Sequence, residues 1–127
     1  MNVKTDTKEK FTVITPEEAS LSVNMTEELC RLMLPYLQKD IPHIILNLKD
    51  VKTIDEKSGE MLAQLQQQFY EQSFSFVICE IQEPVEKLLD EQELLELMNV
   101  TPTESEAWDI VQMEEIEREL LGGEEEV

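Results

Sequence analysis

The sequence predicts an α/β domain, a mixed β-sheet of about 4–5 strands with about 4 helices packed on it. Three observations carry this. The chain has 127 residues, the size of one domain, and 41% of them are hydrophobic, enough for a core. Short β-rich runs alternate along it with stretches whose apolar residues recur at helical spacing. One run, His43-Ile44-Ile45-Leu46-Asn47-Leu48, is almost continuously apolar, the pattern of a strand covered on both faces.

Val3 to Thr7 alternates weakly and reads as an edge strand. Phe11-Thr12-Val13-Ile14 is β-rich and stops at Thr15-Pro16. Asn24 with Glu27 fits a capped helix start. Leu29, Leu32, Met33, Tyr36 and Leu37 then share one helical face, and Pro35 predicts a kink or an end near Leu34. After the central strand, Asp55 can cap a helix from Glu56 to about Gln72, with Met61, Leu62, Leu65, Phe69 and Tyr70 toward the core. Phe74 to Cys79 reads as the next strand. Pro84 suits the first turn of a short helix carrying Val85, Leu88 and Leu89. Leu97 to Val100 reads as a last short strand. Thr103 and Glu106 form a capping box for a helix through Ala107, Trp108, Val111, Ile116 and Leu120. Gly122-Gly123 should end it, leaving a flexible acidic tail over 122–127.

Charge narrows the function classes. Ten basic and 29 acidic residues give a net charge of −19. Such a surface repels phosphate backbones and anionic headgroups, so neither nucleic acid nor a membrane surface is an expected partner; a basic protein patch or a cation is. The first residues show no apolar signal region, and no stretch approaches the roughly 18 apolar residues of a membrane span. A cytoplasmic location is therefore expected, with Cys30 and Cys79 as reduced, buried structural thiols.

The chemistry of catalysis is hard to assemble. His43 is the one histidine and reads as a strand-edge residue. The only glycines are Gly59, Gly122 and Gly123, too few for a dinucleotide or phosphate loop. No nucleophile stands near a candidate base, and no carboxylate spacing matches a calcium loop. No enzyme, cofactor or metal is expected.

One segment stands apart. His43 to Val51 leads into Thr53-Ile54-Asp55-Glu56-Lys57-Ser58-Gly59. It resembles the STAS domain of bacterial anti-sigma factor antagonists, in which a buried strand with an Asn/Asp-Leu-x-x-Val pattern runs into an Asp-Ser-Ser/Thr-Gly loop that opens a helix. Phe76 to Cys79 and Pro84 to Leu89 look like that family's next strand and helix. The resemblance covers roughly Lys10 to Val111, and it implies one STAS-like domain over 1–121 with a C-terminal helix at about 103–121.

The resemblance also implies a function. In such proteins a partner that is both anti-sigma factor and serine kinase phosphorylates the first hydroxyl after the Asp, and the unphosphorylated form binds that partner, a histidine-kinase-like ATPase. A phosphate of about −2 charge at a helix N-terminus is an apt switch. The expected role is thus a non-enzymatic, anti-sigma factor antagonist-like regulator in partner switching, with Asp55, Glu56, Lys57, Ser58 and Gly59 as the partner-binding loop. The motif is degenerate. A gapless alignment from Asn47 to Cys79 puts Glu56 at the acceptor position, Lys57 at the second hydroxyl and Ser58 at the glycine. A one-residue slip instead matches Ser58-Gly59 to the family's Ser-Gly pair and makes Ser58 the phosphoacceptor candidate. The alternative role is a STAS-type scaffold acting in trans on a signalling or anion-transport assembly. Met113, Ile116 and Leu120 form a thin apolar stripe that packs on its own sheet or pairs with another helix, as in a weak homodimer.

Overall fold

The computed structural model describes residues 1–125, and side chains through Leu121. The chain opens with β1 (Val3–Thr7) and β2 (Thr12–Pro16), followed by a two-residue strand β3 (Ser20–Leu21) and helix α1 (Val23–Met33). A 3-10 turn (Leu34–Gln38) leads to β4 (Ile44–Asn47), a second two-residue strand β5 (Thr53–Ile54) and helix α2 (Glu56–Glu71). Then come β6 (Phe76–Cys79), α3 (Glu83–Glu91), β7 (Val100–Thr101) and α4 (Glu104–Glu125). Five strands form one mixed sheet in the order β1-β2-β4-β6-β7. β1 is antiparallel to β2 at one edge, and every other pairing in the sheet is parallel.

The apolar run at Ile44–Leu46 lies in the middle because it can bury both faces. Its side chains alternate between two cores. Ile44 and Leu46 join Ile14, Phe76 and Ile78 under α1, α2 and α3. Ile45 joins Phe11, Val13, Val77 and Cys79 under Ala107 and Val111 of α4. Three helices thus cover one face and α4 the other. The expected fold class holds, with a mixed sheet of five strands and four helices.

Local signals explain most boundaries. Pro35 cannot donate to the preceding turn, and α1 stops at Met33, where the 3-10 turn begins. Pro84 sits in the first turn of α3, where no donor is needed. The Thr103 hydroxyl accepts from the Glu106 amide and donates to its carboxylate, both at 3.2 Å, so the expected pair meets at the helix start, with the carboxylate bonding the hydroxyl rather than the backbone N–H of a full box.

Several expectations are corrected. Ser22, not Asn24, caps α1, and its hydroxyl accepts from the Met25 amide at 3.2 Å. The chain reaches Ser22 extended from β3, a strand too short to leave a periodic signal. Leu32 is exposed, since the buried stripe of α1 is only Thr26, Leu29 and Met33. The last strand is Val100–Thr101, and Leu97, expected in it, is 81% exposed in the preceding loop. His43 stands at the edge of β4 as expected and is buried there: its Nδ1 accepts from the Ser75 amide at 3.0 Å. Cys30 is half-buried and Cys79 buried.

α4 departs most. Ala107 and Val111 are buried, Trp108 is half-buried, but Ile116 and Leu120 are exposed. The helix continues past Gly122-Gly123 to Glu125, since two glycines each cost a helix about 1 kcal/mol without forbidding it. Of the tail expected over 122–127, the last two residues lie outside the described residues. Among the described residues, no helix is long and apolar enough to cross a membrane.

Candidate functional site

The two short strands position the site. β3 and β5 pair in parallel, Ser20 with Thr53 and Leu21 with Ile54. One residue beyond each strand comes a capping position, Ser22 and Asp55, and then a helix. The ladder therefore delivers the N-termini of α1 and α2 side by side. Each helix start carries about half a positive charge on its free amides, so the backbone at this pole favours a negative group.

Asp55 answers that field in an unexpected way. It occupies the capping position of α2 with extended backbone, yet its carboxylate makes no cap bond to α2. Instead Oδ2 accepts from the Val23 amide in the first turn of α1, at 3.2 Å. The Asp55 carbonyl accepts from the Ser58 amide at 3.0 Å and starts α2. One residue thus caps one helix and begins the other, tying the two termini together.

The rest of the motif divides into an outward and an inward half. Glu56 and Lys57 are exposed, whereas Ser58 and Gly59 are buried. The Ser58 hydroxyl lies 2.8 Å from the Thr26 hydroxyl, which is itself 2.8 Å from the Ser22 carbonyl. It also reaches the Leu21 carbonyl at 3.4 Å. The serine is a seam between α1 and α2, closed to solvent. Gly59 lies in close contact with α3: a Cβ there would stand 2.6 Å from Gln92 Oε1 and 3.0 Å from Leu89, so those side chains would have to shift. Gln92 Nε2 donates to the Glu56 carbonyl at 2.8 Å, so the end of α3 holds the first turn of α2.

A second polar group, not anticipated from sequence, lies at the C-terminal ends of β4 and β6. Asn47 Nδ2 donates to Glu104 Oε1 at 3.0 Å, while its Oδ1 accepts from the Lys49 amide at 2.9 Å. Trp108 Nε1 donates to Glu104 Oε2 at 3.1 Å. Glu80, with φ of 59°, accepts from the Glu104 amide at 2.8 Å and so caps α4. Burial, with Glu104 and Glu80 nearby, pushes the Cys79 thiol up to about 12, which keeps it protonated and unreactive at neutral pH. Only the Asn47-Leu48 pair hinted at this cluster.

The site offers an exposed charged loop on a braced base. Most of its polar groups pair with one another, with Gln92 Oε1 buried and unpartnered, and no base stands free beside a nucleophile. Among the described residues, no group of three or more His, Cys, Asp or Glu is placed to hold a metal ion.

Comparison with known proteins follows the same lines. The family model for the STAS domain matches residues 2–107. Solved structures share the fold. An anti-sigma-factor antagonist (STAS) domain protein from Planctomyces limnophilus superposes with a TM-score of 0.74 at 19% identity, covering 87% of this chain and 97% of that one. A Thermotoga maritima structure assigned to the anti-sigma factor antagonists gives a TM-score of 0.77 at 21% identity, over 87% and 94% of the two chains. The anti-sigma factor antagonist SpoIIAA in its unphosphorylated form gives 0.69 at 17% identity, over 87% and 96%. No curated protein sequence matches the chain.

Proposed function

The chain belongs to the STAS domain family, and from that premise we propose that it is a non-enzymatic, cytoplasmic antagonist of an anti-sigma factor, docking through Asp55, Glu56 and Lys57. The partner in this reading is an anti-sigma factor that is also a serine kinase of the histidine-kinase-like ATPase type. Ser58 and Gly59 take part from beneath, as the residues that fix the loop's shape.

The observation that carries the reading is the division of the motif. The residue directly after Asp55 is exposed, and Glu56 fills it, whereas Ser58 is buried. That favours the gapless alignment, with glutamate where the family has its phosphorylatable hydroxyl. Glutamate holds one negative charge, whereas a phosphate holds nearly two and offers three acceptor oxygens. Glu56 therefore imitates the phosphorylated state only in part. Phosphotransfer at position 56 is impossible, and at Ser58 it requires the first turn of α2 to open. Partner choice then rests on a fixed charge at a helix N-terminus facing a Lys or Arg of the partner.

The test begins with affinity capture from the native cell, with mass spectrometry of partners and phosphosites. Titration of wild type, Glu56→Ser and Ser58→Ala against the captured partner follows. Glu56→Ser should restore phosphorylation or shift affinity by the roughly 1–3 kcal/mol of a charge-assisted contact. Stoichiometric phosphate on Ser58 would reverse the alignment. Three proteins that bind alike without phosphate would remove the loop as the dock and leave the scaffold role.

A further inference from the structure

The second half of α4 is built inside out. β4 has only four residues, spanning about 13 Å, so the sheet supports about two and a half turns of a helix at about 1.5 Å per residue. Over those turns Ala107 and Val111 face the sheet. The next inward residues are Glu114, Glu115 and Arg118, all half-buried. Glu114 accepts from Ser75 Oγ at 2.7 Å and from the Tyr70 hydroxyl at 2.9 Å, which locks this side of the helix toward the sheet. At about 100° per residue, Met113, Ile116 and Leu120 lie roughly 140–200° around the helix from Val111. They are 58%, 56% and 66% exposed. The charged side thus faces in and the apolar side faces out. The stripe also lies beyond residue 107, where the family match ends.

Charge selects what covers it. Asp109, Glu117 and Glu119 are exposed around the stripe. Arg118 is the one basic residue from Glu104 to Leu121, and it is turned inward, 3.9 Å from Glu114. Pairing with a second copy would set these carboxylates against their own images and join two chains of net charge −19. A cationic helix meets an apolar stripe and an acidic rim at once. On the Glu119 side, Lys8 and Lys10 of the β1–β2 turn border a groove floored by Phe11, Trp108 and Ile116. The partner's basic edge therefore belongs on the Glu117 side.

We propose that the Met113–Ile116–Leu120 face of α4 docks a cationic amphipathic helix of another protein, a second surface separate from the Asp55–Lys57 loop. The test uses the full chain and a lysine-rich synthetic helix of three heptads with leucine along one face, followed by fluorescence anisotropy at physiological salt. A permuted peptide of the same composition separates shape from charge. The patterned peptide should bind at least about ten-fold more tightly than the permuted one. Ile116→Gln/Leu120→Gln should weaken it about ten-fold or more and Glu117→Lys about five-fold or more, while Glu91→Lys, the same charge change elsewhere, shifts it less than about two-fold. All these positions are exposed, and melting curves by circular dichroism establish that each variant is folded. Equal binding of the two peptides, or indifference to the glutamine pair, overturns the proposal. So does a wild-type dimer in sedimentation that the glutamine pair converts to monomer, since the occupant is then a second copy.

Discussion

Ser58 separates the buried reading of the motif from a phosphoacceptor reading through stability alone. The side chain has no exposure, and its hydroxyl bonds to Thr26 at 2.8 Å. Ser58→Ala removes that bond, about 1 kcal/mol. Thr26 keeps the Ser22 carbonyl at 2.8 Å, so no donor is orphaned, and alanine returns a few tenths through helix propensity. The net loss should be about 0.5–1 kcal/mol. Ser58→Asp puts a carboxylate into the same closed seam, with no cation there to receive it. Such a buried, unpartnered charge costs about 3–5 kcal/mol. An acid in the first turn of a helix recovers about 0.3–1 kcal/mol, so the cost wins by a factor of several. The expected net is about 3 kcal/mol, or roughly 10 °C in Tm for a chain of this size. Urea and thermal unfolding at pH 7, followed by far-ultraviolet circular dichroism, measure it. Glu56→Ser, one turn-position away on the exposed side, should stay within about 0.5 kcal/mol of wild type. A Ser58→Asp protein as stable as Glu56→Ser would refute the argument, because the seam would then accept a negative charge and position 58 would be open to a phosphate.

Three other outcomes follow from burial. His43 has its pKa lowered, first by burial, against the opposing pull of Glu115. The folded state therefore holds the proton less tightly than the unfolded chain, so His43's contribution is complete above the unfolded value of about 6.5 and is lost as pH falls below it; urea titrations from pH 7.5 to 5 should show a shallower slope for His43→Asn, whose Oδ1 can take the Ser75 amide. Cys79, with its pKa near 12, and Cys30, raised by burial and by Glu27, should both react slowly with a disulfide reagent at pH 7.5, and Cys79 only at the rate of opening, measured by thiol release with and without denaturant. Ile45→Asp buries an unpaired charge between the sheet and α4, at a cost of several kcal/mol against a total of about 5–15, so the variant should be largely unfolded by near-ultraviolet circular dichroism.

What was legible in the sequence was what is local. The run Ile44–Leu46 announces a doubly covered strand because both of its faces are apolar. Pro35, Pro84 and the Thr103–Glu106 box mark helix ends because a missing donor or a supplied acceptor acts within one turn. What escaped depends on contacts between distant residues. β3 and β5 have two residues each, too few for any period. The bond from Val23 to Asp55 spans 32 positions, and no pattern in either segment foretells it. Gly59 was visible as a motif glycine, but its close contact with Gln92, at the end of another helix, was not. The stripe at Met113, Ile116 and Leu120 was legible as a stripe. Its direction was not, because that depends on where a four-residue sheet runs out beneath α4.

The two candidate surfaces also differ in how they are held. The loop is braced from three directions: the Asp55 carboxylate fixes α1, the Ser58 hydroxyl seals the seam, and Gln92 holds the Glu56 carbonyl. A loop so braced has little freedom to reshape, so under the proposed function a partner there would read charge at position 56 rather than a change of conformation. The α4 stripe begins more than two turns beyond Glu104, the residue that anchors α4 to Asn47 at the C-terminal end of β4. By Glu114 the helix has reached Ser75, just before β6. Between those anchors it has crossed the length of the sheet. The stripe therefore lies toward the opposite end of the strands from Asn47, and on the opposite face from α1 and α2. One surface is set by a charge at the pole of two helices, the other by an apolar stripe on the outer side of a third, and a partner on one leaves the other open.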